Sequence, residues 1–263
     1  MARHGHSSSR PARTGKPRED SARAPRFFVT GALGPGARVV LDRARAHQLA
    51  HVLRLRPGSP VRLFNAECGE WLGTLGRLDR STAEVEIATL LRPPGEEPGP
   101  RLALAPIRPN RLDWIVEKAV ELGAAAIDIV PTRRSVVRLE RSERLGLIAI
   151  EAAEQCGRLS VPPIVLHRDL AGWLATLGPD TPLVLADETG GEPVCSVLRE
   201  LPGAALLVGP EGGFAPEERT LLLARPGTRR TSLGPRILRS ETAAMFLLVC
   251  ERVARAEAPS GPP

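Results

Sequence analysis

Two hydrophobic patterns divide the chain. Between residues 26 and 91, short apolar runs alternate with polar positions at a spacing of two, for example at residues 61–64, 70–75 and 83–87. Alternation of this kind is typical of half-buried β-strands. Several short strands so close together predict a small β-barrel, with one short helix over residues 44–53.

From residue 101 onward, predicted strands alternate with predicted helices. One helix shows apolar positions at helical spacing from Leu112 to Val120, and Gly123 follows as its stop. A cap formed by Asn110 and Asp113 is expected at its start. A last helix is predicted to bury its face of Ala243, Phe246, Leu247 and Cys250. Strands that alternate with helices predict an α/β fold with a parallel sheet covered on both faces; the strand runs are residues 102–105, 126–131, 183–186 and 204–208.

A domain boundary is predicted over residues 92–100, because four prolines and two glycines in nine positions exclude a helix or an inner strand. The first 24 residues are rich in arginine, serine, glycine and proline and hold no hydrophobic segment, so a secretory signal is not expected there. The predicted organisation is a disordered basic tail, a β-barrel, a linker, an α/β domain and a second tail, over residues 1–25, 26–91, 92–100, 101–256 and 257–263.

Two glycine-rich junctions stand out in the last sixty residues. The strand that ends at Val208 runs into a Gly-Pro-Glu-Gly-Gly turn, and a helix is predicted to begin at Pro216 with two glutamates in its first turn. A strand near residues 231–233 is likewise followed by a Gly-Pro break and a helix that begins near Ser240. Two such junctions expose backbone N–H and C=O groups at one edge of a sheet, which predicts a binding site for a small polar ligand.

Charge and cysteine content favour a cytoplasmic protein with an anionic partner. The net charge is +6 and the pI about 10.0, and Lys16 and Lys118 are the only lysines among 36 basic residues. Arginine suits phosphate and base recognition, although codon bias in a GC-rich genome explains the composition equally well. The four cysteines form no CxxC pair and are expected to be reduced and mostly buried. No apolar stretch reaches the ~20 residues of a membrane helix.

The motifs of several enzyme classes are missing. The sequence contains no GxxxxGK[ST], GxSxG or HExxH motif. His47 and His51 lie four residues apart, but no third ligand is apparent, so no metal is expected. For two of the polar candidates at the rim of the predicted site, a purely structural role is an alternative. Ser240 can cap the last helix, and the negative charge of Glu241 can interact favourably with the dipole of that helix. The rim candidates are Glu211, Arg236, Arg239, Ser240, Glu241 and Thr242.

Four segments together resemble one known family. They are VGPEGGF at residues 208–214, LGPRILRSETA at 233–243, RLDWIVEKAVELG at 111–123 and EAAEQCGR at 151–158. This combination is similar to the 16S ribosomal RNA (uracil-N3)-methyltransferase family of the SPOUT superfamily, from about residue 26 to residue 255. The GPEGG segment alone is shared by other SPOUT enzymes, and the remaining segments make the resemblance specific.

The resemblance implies a deep trefoil knot in the C-terminal domain, an exception to the rule that chains do not thread loops. It also implies a PUA-like N-terminal domain, for which Arg26, His47 and Arg54 are the candidate RNA contacts, and a homodimer. The knot would hold S-adenosyl-L-methionine largely through backbone atoms. The cofactor-binding positions implied are Leu185, Ala186, Asp187, Glu188, Val208, Gly209, Pro210, Glu211, Gly212, Gly213, Leu233, Gly234, Ile237, Leu238, Arg239 and Thr242.

The implied reaction is methylation of N3 of a uridine in 16S ribosomal RNA of the small subunit. Arg239 or Arg236 is expected to stabilise the negative charge that forms on the base, and Glu211 to orient the base or assist proton removal. Two alternatives stay open. One is a SPOUT methyltransferase that acts on tRNA or on a ribose 2′-oxygen, and the other is a non-catalytic RNA-binding assembly factor.

Overall fold

The computed structural model describes residues 23–135, 137 and 141–258. They form two compact units, the first ending at Pro93 and the second comprising residues 65–69 together with the chain from Pro94 onward. The predicted tails lie outside the described residues up to position 22 and from position 259. No helix among the described residues is long and apolar enough to cross a membrane.

The first unit is a five-stranded sheet. Its strands are β1 (Arg26–Phe28), β2 (Arg38–Leu41), β3 (Pro60–Asn65), β4 (Gly69–Leu78) and β5 (Ala83–Arg92), in the order β1-β3-β4-β5-β2. β1 pairs with β3 in parallel, whereas β5 pairs with β4 and β2 in antiparallel. The alternation that predicted these strands is confirmed by burial, since Val61, Leu63, Val85 and Ile87 all point into the core.

The helix predicted over residues 44–53 has two parts. Helix α1 (Arg43–His47) is capped by Asp42, whose side chain accepts a hydrogen bond from the Arg45 N–H, and it continues into a π-helical turn (Gln48–Val52). Arg54 follows shortly after with a φ of 54°, a conformation that residues other than glycine rarely adopt. The wider π turn was not visible as a change in hydrophobic spacing.

The second unit is a seven-stranded sheet whose paired strands all run parallel. The order of its strands is β10-β12-β9-β11-β6-β7-β8. The strands are β6 (Arg101–Leu104), β7 (Ala126–Ile129), β8 (Ile164–Leu166), β9 (Leu183–Ala186), β10 (Glu192–Pro193), β11 (Ala205–Val208) and β12 (Thr228–Ser232). The helices are α2 (Pro109–Glu121), α3 (Glu143–Cys156), α4 (Leu170–Leu174), α5 (Val194–Glu200), α6 (Pro216–Ala224) and α7 (Ser240–Glu257).

The core of the second unit lies under these helices, and helical spacing predicted most of it. All five expected positions of α2 are buried, namely Leu112, Ile115, Val116, Ala119 and Val120. The predicted Asn110–Asp113 cap is wrong, because α2 begins at Pro109 with Arg108 as its N-cap. Phe246 on α7 is also not buried, with 42% of its surface exposed. The short elements β8, α4, β10 and α5 were not predicted, since they span too few residues to show a period.

Three predicted domain ends differ from the structure. Ala24, assigned to the tail, is buried, and its carbonyl accepts a hydrogen bond from Arg62 Nε at 2.9 Å. Glu97, assigned to the linker, accepts hydrogen bonds from the Leu159 and Ser160 N–H groups and from Ser160 Oγ. Glu257, assigned to the C-terminal tail, is the last residue of α7. In each case a tertiary or helical contact orders a residue whose local composition resembles that of a loop.

The expectation of mostly buried cysteines is also wrong. Cys156 and Cys195 are exposed, Cys68 is partly exposed and Cys250 is buried. The Sγ atoms of Cys195 and Cys250 lie 3.5 Å apart. Burial, followed by the neighbouring Cys195, raises the pKa of Cys250 to about 12, so its thiol stays protonated at neutral pH.

Candidate functional site

A cavity of about 460 Å³ opens at the carboxyl edge of the seven-stranded sheet. β9, β11 and β12 are neighbours in this sheet, and all three run in the same direction. The loops that leave their carboxyl ends therefore meet at one edge, as in other open α/β sheets. These loops supply most of the cavity wall, at residues 186–190, 208–213 and 232–238.

The turn that follows β11 requires glycine at two positions. A Cβ atom at Gly209 would lie 2.7 Å from the buried Phe214 ring, and Gly213 has a φ of +67°. The turn ends at α6, where Glu218 accepts a hydrogen bond from the Ala215 N–H at 2.9 Å. The second carboxylate oxygen of Glu218 accepts one from the Arg133 N–H at 2.8 Å. Glu218 thus joins the turn to the loop after β7.

The loop that follows β9 is organised by the carboxylate of Asp187. This carboxylate accepts hydrogen bonds from Arg219 Nη2 at 2.5 Å and from the Thr189 N–H and Oγ1, each at 2.9 Å. Burial raises the pKa of Asp187, but these hydrogen bonds outweigh it and the pKa lies below the usual value for aspartate. The Asp187 side chain therefore shapes the cavity wall and stays ionised.

The loop that follows β12 contributes backbone donors. Gly234 has a φ of +111°, which favours glycine there. At the end of this loop Ser240 Oγ donates a hydrogen bond to the Gly209 carbonyl at 2.9 Å, so Ser240 joins the two glycine-rich junctions. Ser240 is the first residue of α7 and Arg239 is its N-cap, so the alternative in which Ser240 caps this helix is wrong.

The loop after β12 also has free backbone donors. Among the described residues, the N–H groups of Leu233, Ile237 and Leu238 have no hydrogen-bond acceptor.

Most of the cofactor-binding positions implied by the resemblance meet in this cavity. Leu185, Arg239 and Thr242 are not among the residues that line it. Leu185 is fully buried in the sheet, whereas Arg239 and Thr242 face solvent. The lining residues that were not predicted as cofactor contacts are Thr189, Gly190, Ser232, Pro235, Arg236, Ser240 and Ala243. Their proximity follows from the strand order, which no local pattern encodes.

Charged side chains surround the cavity mouth. Glu211 and Arg236 line it, and both are exposed. Arg134 Nη1 donates a hydrogen bond to the Gly212 carbonyl at 2.8 Å. Arg111 Nη1 lies 2.6 Å from Glu211 Oε1, a contact that sequence reasoning missed because the two residues are distant in the chain. The site therefore combines backbone donors inside with arginines and a glutamate at its mouth.

The three candidate RNA contacts of the first unit have different environments. Arg26 is 8% exposed, its guanidinium lies over the Phe64 ring, and its Nε is 3.0 Å from Glu70 Oε1. This is a structural role, so an RNA contact by Arg26 is not supported. His47 and Arg54 are exposed and remain candidates. The ring centroids of His47 and His51 lie 4.6 Å apart, but no group of three or more metal-ligating side chains is found in the described part of the chain.

Comparison with known proteins identifies the class. The RNA methyltransferase domain family matches residues 96–250. Ribosomal RNA small subunit methyltransferase E of Rickettsia conorii is 30% identical over 234 residues, which cover 87% of this chain and 95% of the relative. A solved methyltransferase of Legionella pneumophila in complex with SAM has a TM-score of 0.77 and 30% identity, and covers 89% of this chain and 98% of its own.

A crystal structure of ribosomal RNA small subunit methyltransferase E from Neisseria gonorrhoeae bound to S-adenosyl methionine has a TM-score of 0.74 and 31% identity. It covers 88% of this chain and 98% of its own. Fold and site thus define an RNA methyltransferase of the SPOUT class, with a knotted α/β unit that follows a PUA-like β-unit. The chain belongs to the ribosomal RNA small subunit methyltransferase E family. The resemblance inferred from the four sequence segments is confirmed.

Proposed function

We propose that this protein transfers the methyl group of S-adenosyl-L-methionine to N3 of a uridine in 16S ribosomal RNA of the small subunit. The observation that carries this proposal is the cavity at the carboxyl edge of the sheet, because the loops after β11 and β12 that line it carry two of the segments that resemble the family. Two relatives with about 30% identity were solved with the same cofactor bound.

The residues of the cavity fit this cofactor. Its volume of about 460 Å³ lies within the usual range for small-molecule sites. The N–H groups of Leu233, Ile237 and Leu238 have no acceptor among the described residues, and the adenine and ribose of the cofactor offer acceptors. Residues 186–190, 208–213 and 232–238 would hold the cofactor. When bound, S-adenosyl-L-methionine supplies a methyl group on a sulfonium, which is electrophilic enough to react without a metal.

The residues at the mouth would orient the base. N3 of uracil carries a proton on the pairing edge, so the base has to be unpaired when it enters the site. Glu211, which lines the cavity, would accept a hydrogen bond from this N–H or take up its proton, and Arg236 would stabilise the negative charge left on the base. Correct alignment of the base and the methyl group can lower the activation free energy by about 7–11 kcal/mol.

Binding of ribosomal RNA would extend beyond the cavity. The net charge of +6 favours a polyanion, and His47 and Arg54 offer exposed donors in the first unit. Action on small ribosomal subunits places the proposed activity in the cytoplasm.

A homodimer is part of the proposal. Helix α7 has an exposed apolar stripe of Phe246, Val249 and Val253, which are 42%, 46% and 48% exposed. These residues are spaced by three and four positions and thus share one face of the helix. A second copy of the chain would cover this face.

The proposed function is tested by titration and by nucleoside analysis. The purified protein should bind S-adenosylhomocysteine with a micromolar Kd in calorimetry. It should also form 3-methyluridine in small subunits from a strain that lacks the gene, as measured by mass spectrometry of digested RNA. Methylation of a ribose or of tRNA instead would support the alternative hypothesis, a SPOUT methyltransferase with another RNA target. Binding of RNA without any cofactor binding would support an assembly factor.

Of the two candidate arginines, Arg236 should matter more for the chemical step. We expect Arg236→Ala to lower kcat by about 100-fold, the effect of removing one donor to a developing anion. Arg239→Ala should lower it less, because Arg239 does not line the cavity. Arg168→Ala, at a fully solvated arginine, is the control for loss of one charge. An unchanged kcat in Arg236→Ala would remove Arg236 from this role.

A further inference from the structure

Arg111 of α2 contacts two carboxylates that belong to other elements of the second unit, and one of them lies at the cavity mouth. Arg111 lies in the first turn of α2, and its Nη1 contacts Glu211 Oε1 at 2.6 Å and Glu241 Oε1 at 3.3 Å. Glu211 belongs to the turn after β11, and Glu241 to the first turn of α7. A single guanidinium nitrogen thus serves two carboxylates.

The three side chains differ in their contact with solvent. The side chain of Glu241 is 17% exposed and that of Arg111 is 24% exposed, whereas Glu211 is 52% exposed. Glu241 Oε2 is buried without a hydrogen-bond partner among the described residues, which leaves Arg111 as the ionic partner of this carboxylate. Glu241 also lies at the positive end of α7, which favours its charge. Arg111 is therefore held from the inside by Glu241, and Glu211 is the outer, more exposed end of the cluster.

We propose that Arg111 is a positioning residue, which acts on the reaction through Glu211. This inference rests on the proposed methyl transfer and on the placement of Glu211 in the cavity wall. A half-exposed glutamate on a turn samples several rotamers, and an ion pair anchored to Glu241 selects one of them. The Arg111 guanidinium also offsets the negative charge that Glu211 would otherwise present to an anionic RNA. Arg111 itself does not line the cavity and is not expected to contact the cofactor.

The prediction is a loss in kcat with little change in cofactor affinity. Arg111→Gln should lower kcat for methylation of unmodified small subunits by about ten- to a hundredfold, the range that corresponds to one charge-assisted hydrogen bond. The Kd for S-adenosylhomocysteine should stay within about threefold of wild type, a change of less than 1 kcal/mol. Arg111→Lys should restore most of the activity, because one nitrogen makes both contacts. Arg168→Gln serves as the matched control for loss of charge.

A double-mutant cycle separates positioning from general stability. If Arg111 acts through Glu211, adding Arg111→Gln to Glu211→Gln should lower kcat no further. Additive losses in the double variant would overturn the proposal, as would wild-type activity in Arg111→Gln. Absence of methyl transfer by the wild-type protein would instead refute the proposed function, and the positioning role with it.

Discussion

Gly209→Ala is expected to weaken the binding of S-adenosyl-L-methionine by about ten- to a hundredfold. The new Cβ would lie 2.7 Å from the Phe214 ring, which is buried and packed in the core under the sheet. Because this ring is buried in a packed core, the turn is expected to move instead, and overpacking of this kind costs about 1–3 kcal/mol. The same turn carries the carbonyl that Ser240 holds. Titration calorimetry of both proteins measures the difference.

Gly146→Ala is the control for the added methyl group. Gly146 lies in α3 and does not line the cavity, and a Cβ there would have no heavy atom within 4 Å. This variant should bind the cofactor as well as wild type, and circular dichroism should show that both variants are folded. Equal losses of affinity in the two variants would contradict the assignment of the effect to the Phe214 contact.

Asp128→Asn is expected to lower the free energy of unfolding by about 3 kcal/mol. Asp128 on β7 is fully buried and accepts hydrogen bonds from Arg101 Nε and Nη2, each at 2.8 Å, and it lies 2.7 Å from His167 Nε2. Breaking a buried ion pair from one side costs about 3–5 kcal/mol, and the partial exposure of Arg101 places this case at the lower end. Urea unfolding measures the change. Asp180→Asn, at an exposed aspartate, is the control and should be neutral.

The same residue predicts a pH dependence. Burial raises the pKa of Asp128, but the hydrogen bonds from Arg101 and His167 outweigh it, so the folded-state pKa lies below the usual value. A depressed folded pKa stabilises the protein above the unfolded pKa of about 3.9, and this contribution is lost as the pH falls towards the folded value. Wild-type stability should therefore decline below about pH 5, with a shallower decline in Asp128→Asn. Equal slopes would contradict this assignment.

Local sequence patterns predicted much of the fold. Alternation at residues 61–64 and 83–87 predicted which face of each strand meets the core, and helical spacing from Leu112 to Val120 predicted the buried face of α2. The structure buries these faces. The glycine-rich segments likewise predicted both helix starts, at Pro216 and near Ser240. These features are short-range, since φ preferences and side-chain period act within a few residues.

Charged residues were predicted less well, because the role of a charge depends on partners that are distant in sequence. Arg26 was a candidate RNA contact in the domain implied by the resemblance, but it is buried against Glu70. Arg111 had no visible role, yet it meets Glu211 from 100 positions away. Asp187 lines the cavity, as its assignment to the cofactor site requires, but the binding of its carboxylate to Arg219 and Thr189 was not predicted.

The sequence by itself determined the α/β class, the strand-to-turn-to-helix junctions and the family, because these depend on local periodicity and on contiguous motifs. Only the tertiary structure decided the strand order β12-β9-β11, which brings the loop after β9 to the same sheet edge as the two predicted glycine-rich junctions. It also decided which arginines face the cavity and which form ion pairs within the fold. Burial and pairing of a charge are set by the packing of several elements, and no single segment contains that information.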